Sequence, residues 1–432
     1  MAAEWRNWSG SVRTAPRELT RPRTVAELSA IVARSQQLRV TGAGHSFMPL
    51  CETGGTLLDL SALEGEIEVA ADRRTAWVPA GLSLRKLTPA LWDRGLSLFN
   101  QGDVDPQSLA GALATGTHGT GRDLGCLSTA ARAYRLMLAD GSVVECSESE
   151  RPELFQAQRL ALGLLGVALS IRIDVLPAYR LEERTFVMPL DQVAEQFDAL
   201  ATRHRHVEFF VFPYSDRAIV KTLHPTEDSA PYRAPSALDE LLFKTYCEAA
   251  TRVPTATGVL QKALVLGVRA SRRVGPAHSI FATERTVRFE EMEYELPREA
   301  GFVALREVIA WLRARSLPVT FPFEFRWTAG DDIWLSPFNR GPCASVSMHQ
   351  FFKLPWRELF SAAEPIFRAH GGRPHWAKRH TLTARDVREL YPQAGNFCRV
   401  RAAVDPTAKF ANRLTTELFQ IEPAARSHTH AG

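Results

Sequence analysis

Two stretches of this chain are too poor in bulky side chains to fill a core. The first, Thr41-Gly42-Ala43-Gly44-His45-Ser46-Phe47, follows the short apolar run Leu38-Arg39-Val40. Small residues after a strand leave consecutive backbone N–H groups free to converge on one concavity, which suits a pyrophosphate. The dinucleotide fingerprint of a doubly wound sheet is excluded, because no third glycine follows at the required spacing and Pro49 interrupts the helix that would begin there. Taken alone, the stretch reads more simply as a tight turn. The second runs from Asp103 to Gly121, and its last ten residues hold three threonines and a single ring, His118. Such a segment lets a flat aromatic ligand lie against the backbone, with hydroxyls and amides at its polar edge. No lysine follows the glycines and no G-x-S-x-G occurs, so neither a P-loop nor a nucleophile elbow fits.

Charged residues with chemical potential come later. Glu324 and Arg326, within Phe323-Glu324-Phe325-Arg326-Trp327, alternate as on a strand, so both face one way and the three aromatic residues the other. An acid and a guanidinium on one face can orient a polyhydroxylated substrate and stabilise a developing alkoxide. From pattern alone, they read first as a surface ion pair. His204 and His206 also alternate, before Glu208, but with no third ligand in view an exposed strand face is the better reading, and no metal is expected.

The elements that must position these residues are mixed. Apolar residues Val25, Leu28, Ile31 and Val32 recur at helical spacing over Thr24 to Ser35, before the Leu38 strand. Strands are expected at 55–60, 67–71 and 76–79, a helix at 84–94, a hairpin turning on Asp140-Gly141, and a strand at 169–175. Past Pro177 the texture changes: strands at 207–212 and 319–327 mix with helices at 300–315 and 356–369, and His224 to Ser236 reads as mobile. With 432 residues, two domains are expected, and 45% hydrophobic and 23% charged residues are globular proportions. A net charge of +4 with scattered basic residues excludes a nucleic-acid partner. Six widely separated cysteines form no C-x-x-C pair and read as free thiols of a reducing compartment. The amino terminus lacks a signal-peptide pattern, and the longest apolar run, Leu160 to Ile171, is too short for a membrane span, so a cytoplasmic location is expected.

Taken together, Gly42-Ala43-Gly44-His45-Ser46 and, some sixty residues later, Gly111 to Gly121 resemble the FAD-binding domain of the vanillyl-alcohol-oxidase superfamily. More narrowly, the chain resembles the sugar-1,4-lactone oxidases (gulonolactone and arabinonolactone oxidases) and their alditol oxidase relatives. Two later signatures agree: Gly371-Gly372-Arg373-Pro374-His375-Trp376-Ala377-Lys378 and Asp405-Pro406-Thr407-Ala408-Lys409-Phe410-Ala411-Asn412. The likeness spans nearly the whole chain. It implies an α+β, two-domain PCMH-type FAD-binding fold with an α+β substrate cap: FAD domain 1–178, cap 179–400, a segment 401–422 returning to the FAD domain, and a flexible tail 423–432 carrying His428 and His430.

The resemblance further implies FAD joined covalently through His45, a neutral imidazole being a competent nucleophile. The alternative is that His45 only hydrogen-bonds its loop. Around the cofactor it places Thr41, Gly42, Ala43, Gly44, Ser46, Phe47, Gly102, Asp103, Ser108, Gly111, Ala112, Ala114, Thr115, Gly116, His118, Gly119, Val167 and His375. Asp103, Glu324, Arg326, His349 and Lys378 are implied at the substrate, the last four as catalytic groups, with the Lys378 ammonium near the flavin pyrimidine or the reacting hydroxyl. His349 reads equally as a satisfied core histidine. The implied reaction is hydride transfer from an alcohol of a sugar-1,4-lactone to flavin, with O2 reduced to hydrogen peroxide, by a monomer. Rivals are an alditol oxidase, a lactone dehydrogenase using another acceptor, and a flavin-binding protein without turnover. Asp103, Ala377 and Phe351 depart from the alditol oxidase pattern and favour a lactone, and the small Gly102 would leave oxygen a path to the flavin.

Overall fold

The computed structural model describes residues 4–422, so the expected tail with His428 and His430 lies outside them. In the first part, the helix Val25–Arg34 buries Leu28, Ile31 and Val32, as its spacing predicts, and the Thr24 hydroxyl caps it by accepting from Glu27 N at 3.2 Å. It feeds Leu38–Thr41, which runs parallel to Thr56–Asp59, itself parallel to Glu18–Thr20. A five-stranded antiparallel sheet carries the larger core, in the order Val143–Ser147, Ala131–Met137, Val167–Asp174, Thr75–Pro79, Glu68–Val69. The predicted turn lies between its first two strands, where Gly141 takes φ +86°. One helix was not foreseen: Leu109–Thr115 lies inside the second glycine-rich stretch, capped by Ser108 and ended by Gly116 at φ +79°.

The second part is one eight-stranded antiparallel sheet, in the order Ser271–Pro276, Arg180–Pro189, Arg217–Pro225, His206–Val211, Phe323–Thr328, Cys343–Phe351, Phe289–Pro297, Arg373–Pro374. Helices Leu190–Arg203, Gly301–Ala314 and Arg357–Ala369 cover its apolar face, where Phe323, Phe325 and Trp327 pack with Phe197, Phe209 and Leu305. The other face is polar and buried. Across it, in register, run Glu208, Arg326, Ser345 and Glu295, and one row on Glu324, Ser347 and Glu293. Glu324 and Arg326 are only 5% and 6% exposed, so the surface ion pair that pattern alone suggested is excluded, and the exposed face expected at His206 is corrected: His206 is fully buried, its Nδ1 2.7 Å from the carbonyl of Thr120. Strand alternation identified which side chains share a face, but not that both faces are covered. The predicted strand at 319–327 starts only at Phe323, and the helices Ala237–Arg252 and Thr257–Gly267 were not foreseen. Among the described residues no helix is long and apolar enough to cross a membrane.

The end of the chain returns to the first core, and does so before residue 401: Trp376, Leu382, Val387, Tyr391 and Phe397 are already in it, with Leu418 and Phe419 following. The signature Asp405 to Asn412 is a clasp. The Asp405 carboxylate accepts from the amides of Lys409 and Phe410, both at 2.9 Å. The Asn412 amide donates to the carbonyls of Pro49, Leu50 and Glu52 at 2.9, 3.2 and 3.1 Å. Arg39, in the strand before the first glycine loop, donates to the carbonyls of Leu50, Leu162 and Gly163 at 2.8, 2.8 and 3.2 Å, and to that of Phe410. A buried guanidinium bound only by carbonyls joins segments far apart in sequence, and removing it strands several buried acceptors. Arg39→Met is expected to destabilise the fold by about 3 kcal/mol, read as a lowered urea midpoint; an unchanged midpoint would show that the clasp carries no stability.

Candidate active site

The first glycine loop is held from three sides. Phe47 N donates to Ala377 O at 2.7 Å, Trp8 N to Gly44 O at 2.8 Å, and Asn7 Nδ2 to Ser46 O at 3.0 Å. Gly44 has φ +69°, and a Cβ on it would meet the Trp5 ring at 3.1 Å; one on Gly42 would collide with the Ser108 hydroxyl at 2.5 Å. Both glycine-rich stretches therefore meet at one point, Gly42 against the start of the Leu109–Thr115 helix. The amides of Ala43, Gly44, His45 and Ser46 donate to no backbone acceptor among the described residues, and Gly42, Ala43 and Gly111 are exposed. Free amides lining an open cleft fit a diphosphate. Thr41 is buried, its hydroxyl on Gly42 O at 3.2 Å. The His45 ring stacks on Trp8 at 5.3 Å, and burial, aided by Lys378 and Arg85, lowers its pKa to about 4, so it is neutral near pH 7.

In the second stretch, Ala112 and Thr115 are buried while Ala114 is partly open. Gly102 and Gly119 permit the irregular segment at 100–102 to pass close to 117–119, and a Cβ on Gly102 would lie 3.2 Å from His118 O. The small size of Gly102 thus has a packing reason of its own. His118 turns inward, with Nδ1 2.9 Å from Gly119 O and Nε2 3.2 Å from Glu293. Val167 opens a central strand and packs against Leu28 and Leu58. Burial drops the pKa of His375 to about 3, and its Nδ1 accepts from Ala377 N at 3.1 Å.

Facing the loops is the polar side of the large sheet, where the structure brings Asp103, Glu324, Arg326, His349 and Lys378 into one charged layer. Burial raises the Glu324 pKa to about 7, with Asp103 and Glu208 adding to the rise and Arg326 opposing it. Its Oε1 has no hydrogen-bond partner and lies 3.5 Å from the Arg326 Nε. Arg326 is instead held by Glu293 and by the Ser347 hydroxyl at 3.3 Å. Lys378 pairs with Glu291, lies 3.8 Å from Glu293 and sits 5.4 Å over the Phe47 ring; burial opposes its charge, but the two carboxylates raise its pKa. His349 Nε2 is 3.4 Å from Glu291 and its ring meets Phe289 edge-on at 4.9 Å, so it is an ion-pair partner and not simply a core histidine. Burial pushes the Asp103 carboxyl up, but Arg285, Arg326 and Lys221 overcome that and hold it ionised.

Sequence reasoning missed Arg285, which pairs with Asp103, and the acidic strand Phe289–Pro297. A usable signal for the strand was present. Glu291, Glu293 and Glu295 alternate with Met292, Tyr294 and Leu296, so one face of a strand is all carboxylate and must meet cations. Arg285 lies in an irregular link and carried no such signal. His118, Glu293 and His375 place ligand-type atoms within 4.8 Å of one another. Arg326 and Lys378 already neutralise Glu293, and Glu295 and Glu293 raise the His118 pKa to about 9 against burial and Arg326, so the grouping works as an ion pair.

Comparison with known proteins gives a consistent result. The D-arabinono-1,4-lactone oxidase family matches residues 171–418, and an FAD binding domain matches residues 16–147. The L-gulono-1,4-lactone dehydrogenase of Mycobacterium tuberculosis is 38% identical over 97% of this chain and 100% of its own length. L-gulonolactone oxidase of Bos taurus is 32% identical, covering 96% and 98%, and the alditol oxidase of a Streptomyces species 30%, covering 96% and 98%. Among solved structures, cholesterol oxidase from B. sterolicum superposes with a TM-score of 0.83 over 96% of both chains at 16% identity, a likeness of fold alone. With its alternating sheet of charges facing two glycine-rich loops, this chain belongs to the D-arabinono-1,4-lactone oxidase family, flavin enzymes built on a PCMH-type FAD-binding fold.

Proposed function

We propose that the chain oxidises an alcohol of a sugar-1,4-lactone, with FAD tethered through His45, residues up to 178 holding the cofactor and the cap roofing it. The observation that carries the reading is the position of Lys378: bonded to Glu291 on the large sheet, it lies over Phe47, two residues from His45. The charged layer and the loop thus meet at Lys378 and Phe47. The flavin, when bound, supplies the two-electron acceptor. Its diphosphate is assigned to the free amides of residues 43–46 and the start of the Leu109–Thr115 helix, and His45 is kept unprotonated, as a nucleophile must be.

At the substrate, Arg326 is oriented by Glu293 and Ser347, and its guanidinium, with the Lys378 ammonium, favours a hydroxyl that is losing its proton. Glu324 is assigned as the group that takes that proton, because its pKa is raised to about 7 and its Oε1 has no hydrogen-bond partner. Asp103 and Arg285 form the opposite wall, an arrangement suited to the ring and exocyclic oxygens of a lactone. One observation favours a second reading for the acceptor: the relative at 38% identity is a dehydrogenase, whereas oxidases stand at 32%.

Three outcomes test this reading. His45→Ala should abolish covalent retention, so acid-precipitated variant protein should be colourless; a yellow pellet would remove His45 from that role. A base must be ionised, so wild-type turnover should fall as pH drops through about 7. Glu324→Gln should lose that limb and about a hundredfold in kcat, and an unaltered pH profile would assign the proton elsewhere. Sugar lactones should reduce the flavin anaerobically faster than xylitol or sorbitol; peroxide release under air would identify an oxidase, and turnover only with an artificial electron acceptor a dehydrogenase.

A further inference from the structure

Thirteen large apolar side chains are exposed among the described residues, and six of them, Leu238, Leu241, Leu242, Val253, Val259 and Leu266, fall on the two-helix hairpin Ala237–Arg252 and Thr257–Gly267. The inner side of this hairpin packs normally, with Tyr246, Cys247, Ala250 and Val265 against Phe212, Phe321 and Phe351. Its outer side is the anomaly: Val259 and Leu266 are 73% and 75% exposed on a helix that turns the polar Thr257 and Gln261, with Val265, to its buried side. A surface helix normally turns its polar residues outward, and a cluster of exposed apolar side chains on its outside marks a contact with a partner or a membrane.

Charge indicates which environment. From Ala249 to Thr283 the chain contains no aspartate or glutamate but carries Arg252, Lys262, Arg269, Arg272 and Arg273. Arg272 and Arg273 are consumed by ion pairs with Glu182, Asp228 and Glu183, while Lys262 and Arg269 have no carboxylate partner among the described residues. Of the three acids earlier in the hairpin, Glu240 is occupied by the amides of Thr286 and Val287 and Glu248 by Lys353 at 2.5 Å, which leaves Asp239 at the start of the first helix as a single exposed carboxylate without an ion pair among the described residues. An apolar face edged with unpaired cations repels a second copy of itself and complements an anionic lipid surface. The helices, of 16 and 11 residues, are too short to span a bilayer and of a length to lie in its interface.

We propose that this hairpin is a monotopic docking surface for anionic membranes. Docking there places the bilayer one aromatic layer from the candidate active site, since Phe243 meets Phe321 at 4.9 Å and Phe321 lies 6.1 Å from His349. Co-sedimentation of the full-length holoprotein with vesicles of phosphatidylcholine, with and without phosphatidylglycerol, tests this. At low salt the protein should pellet with the phosphatidylglycerol vesicles and be released by high salt. The double variant Leu241→Glu/Leu266→Glu should lose about tenfold or more in partitioning. Lys262→Glu/Arg269→Glu should lose the preference for anionic lipid, whereas Val303→Glu, on an exposed apolar residue elsewhere, should change nothing. Flavin content and turnover of soluble substrate, unchanged in every variant, report that each is folded. Protein remaining in the supernatant with both vesicle types, equal loss in Val303→Glu, or a dimer dissolved by the leucine substitutions with no vesicle binding would each overturn the proposal.

Discussion

A strand face made of carboxylates can be buried only if cations are buried with it. Glu291, Glu293 and Glu295 line the inner side of the large sheet at the contact between the two parts of the chain, and taking three such charges out of water costs several kcal/mol each unless paired. Lys378 and His349 answer Glu291, Arg326 and His118 answer Glu293, and the Ser345 hydroxyl binds Glu295. These partners come from different strands, from a loop of the first part and from the segment after Arg373. Satisfying the acids therefore fixes how the two parts meet, and the groups assigned to chemistry are the same ones that hold the contact.

Burial within this layer acts in opposite directions on acids and bases. It keeps the His45 imidazole unprotonated, as the proposed covalent link requires, and raises the Glu324 pKa to about 7, on which the proposed proton transfer rests. Asp103 escapes because three cations surround it. Two buried carboxyls near the same arginine thus differ in state through their neighbours.

Much of this was legible from residue order. Period-two alternation at Phe323–Thr328 correctly separated Glu324 and Arg326 from the aromatic residues, and the Asp-Gly turn fixed the register of a hairpin. The glycines at 42 and 44 read as a tight turn, and Gly44 does take φ +69°, but the groups packed against them, Ser108 and Trp5, lie far away in sequence and were not foreseen. What alternation could not report was whether the polar face was wet. His206 and Arg326 sit on strands whose patterns fit an exposed face, and only the packing of the two parts buries them. Arg285 lay beyond reach for another reason: it acts from an irregular link whose position depends on Thr283 N meeting Asp103 O at 3.0 Å.

The clasp formed by Arg39, Asp405 and Asn412 has a consequence for biosynthesis. Strands and loops made first are completed by residues made last, because the carbonyl of Phe410 and the amide of Asn412 close around the turn at residues 49–52. As the polypeptide leaves the ribosome, its opening third must wait for residues made near the end before the carbonyls of the turn at residues 49–52 are satisfied. A message stopped before residue 405 therefore yields a product whose opening third lacks this closure.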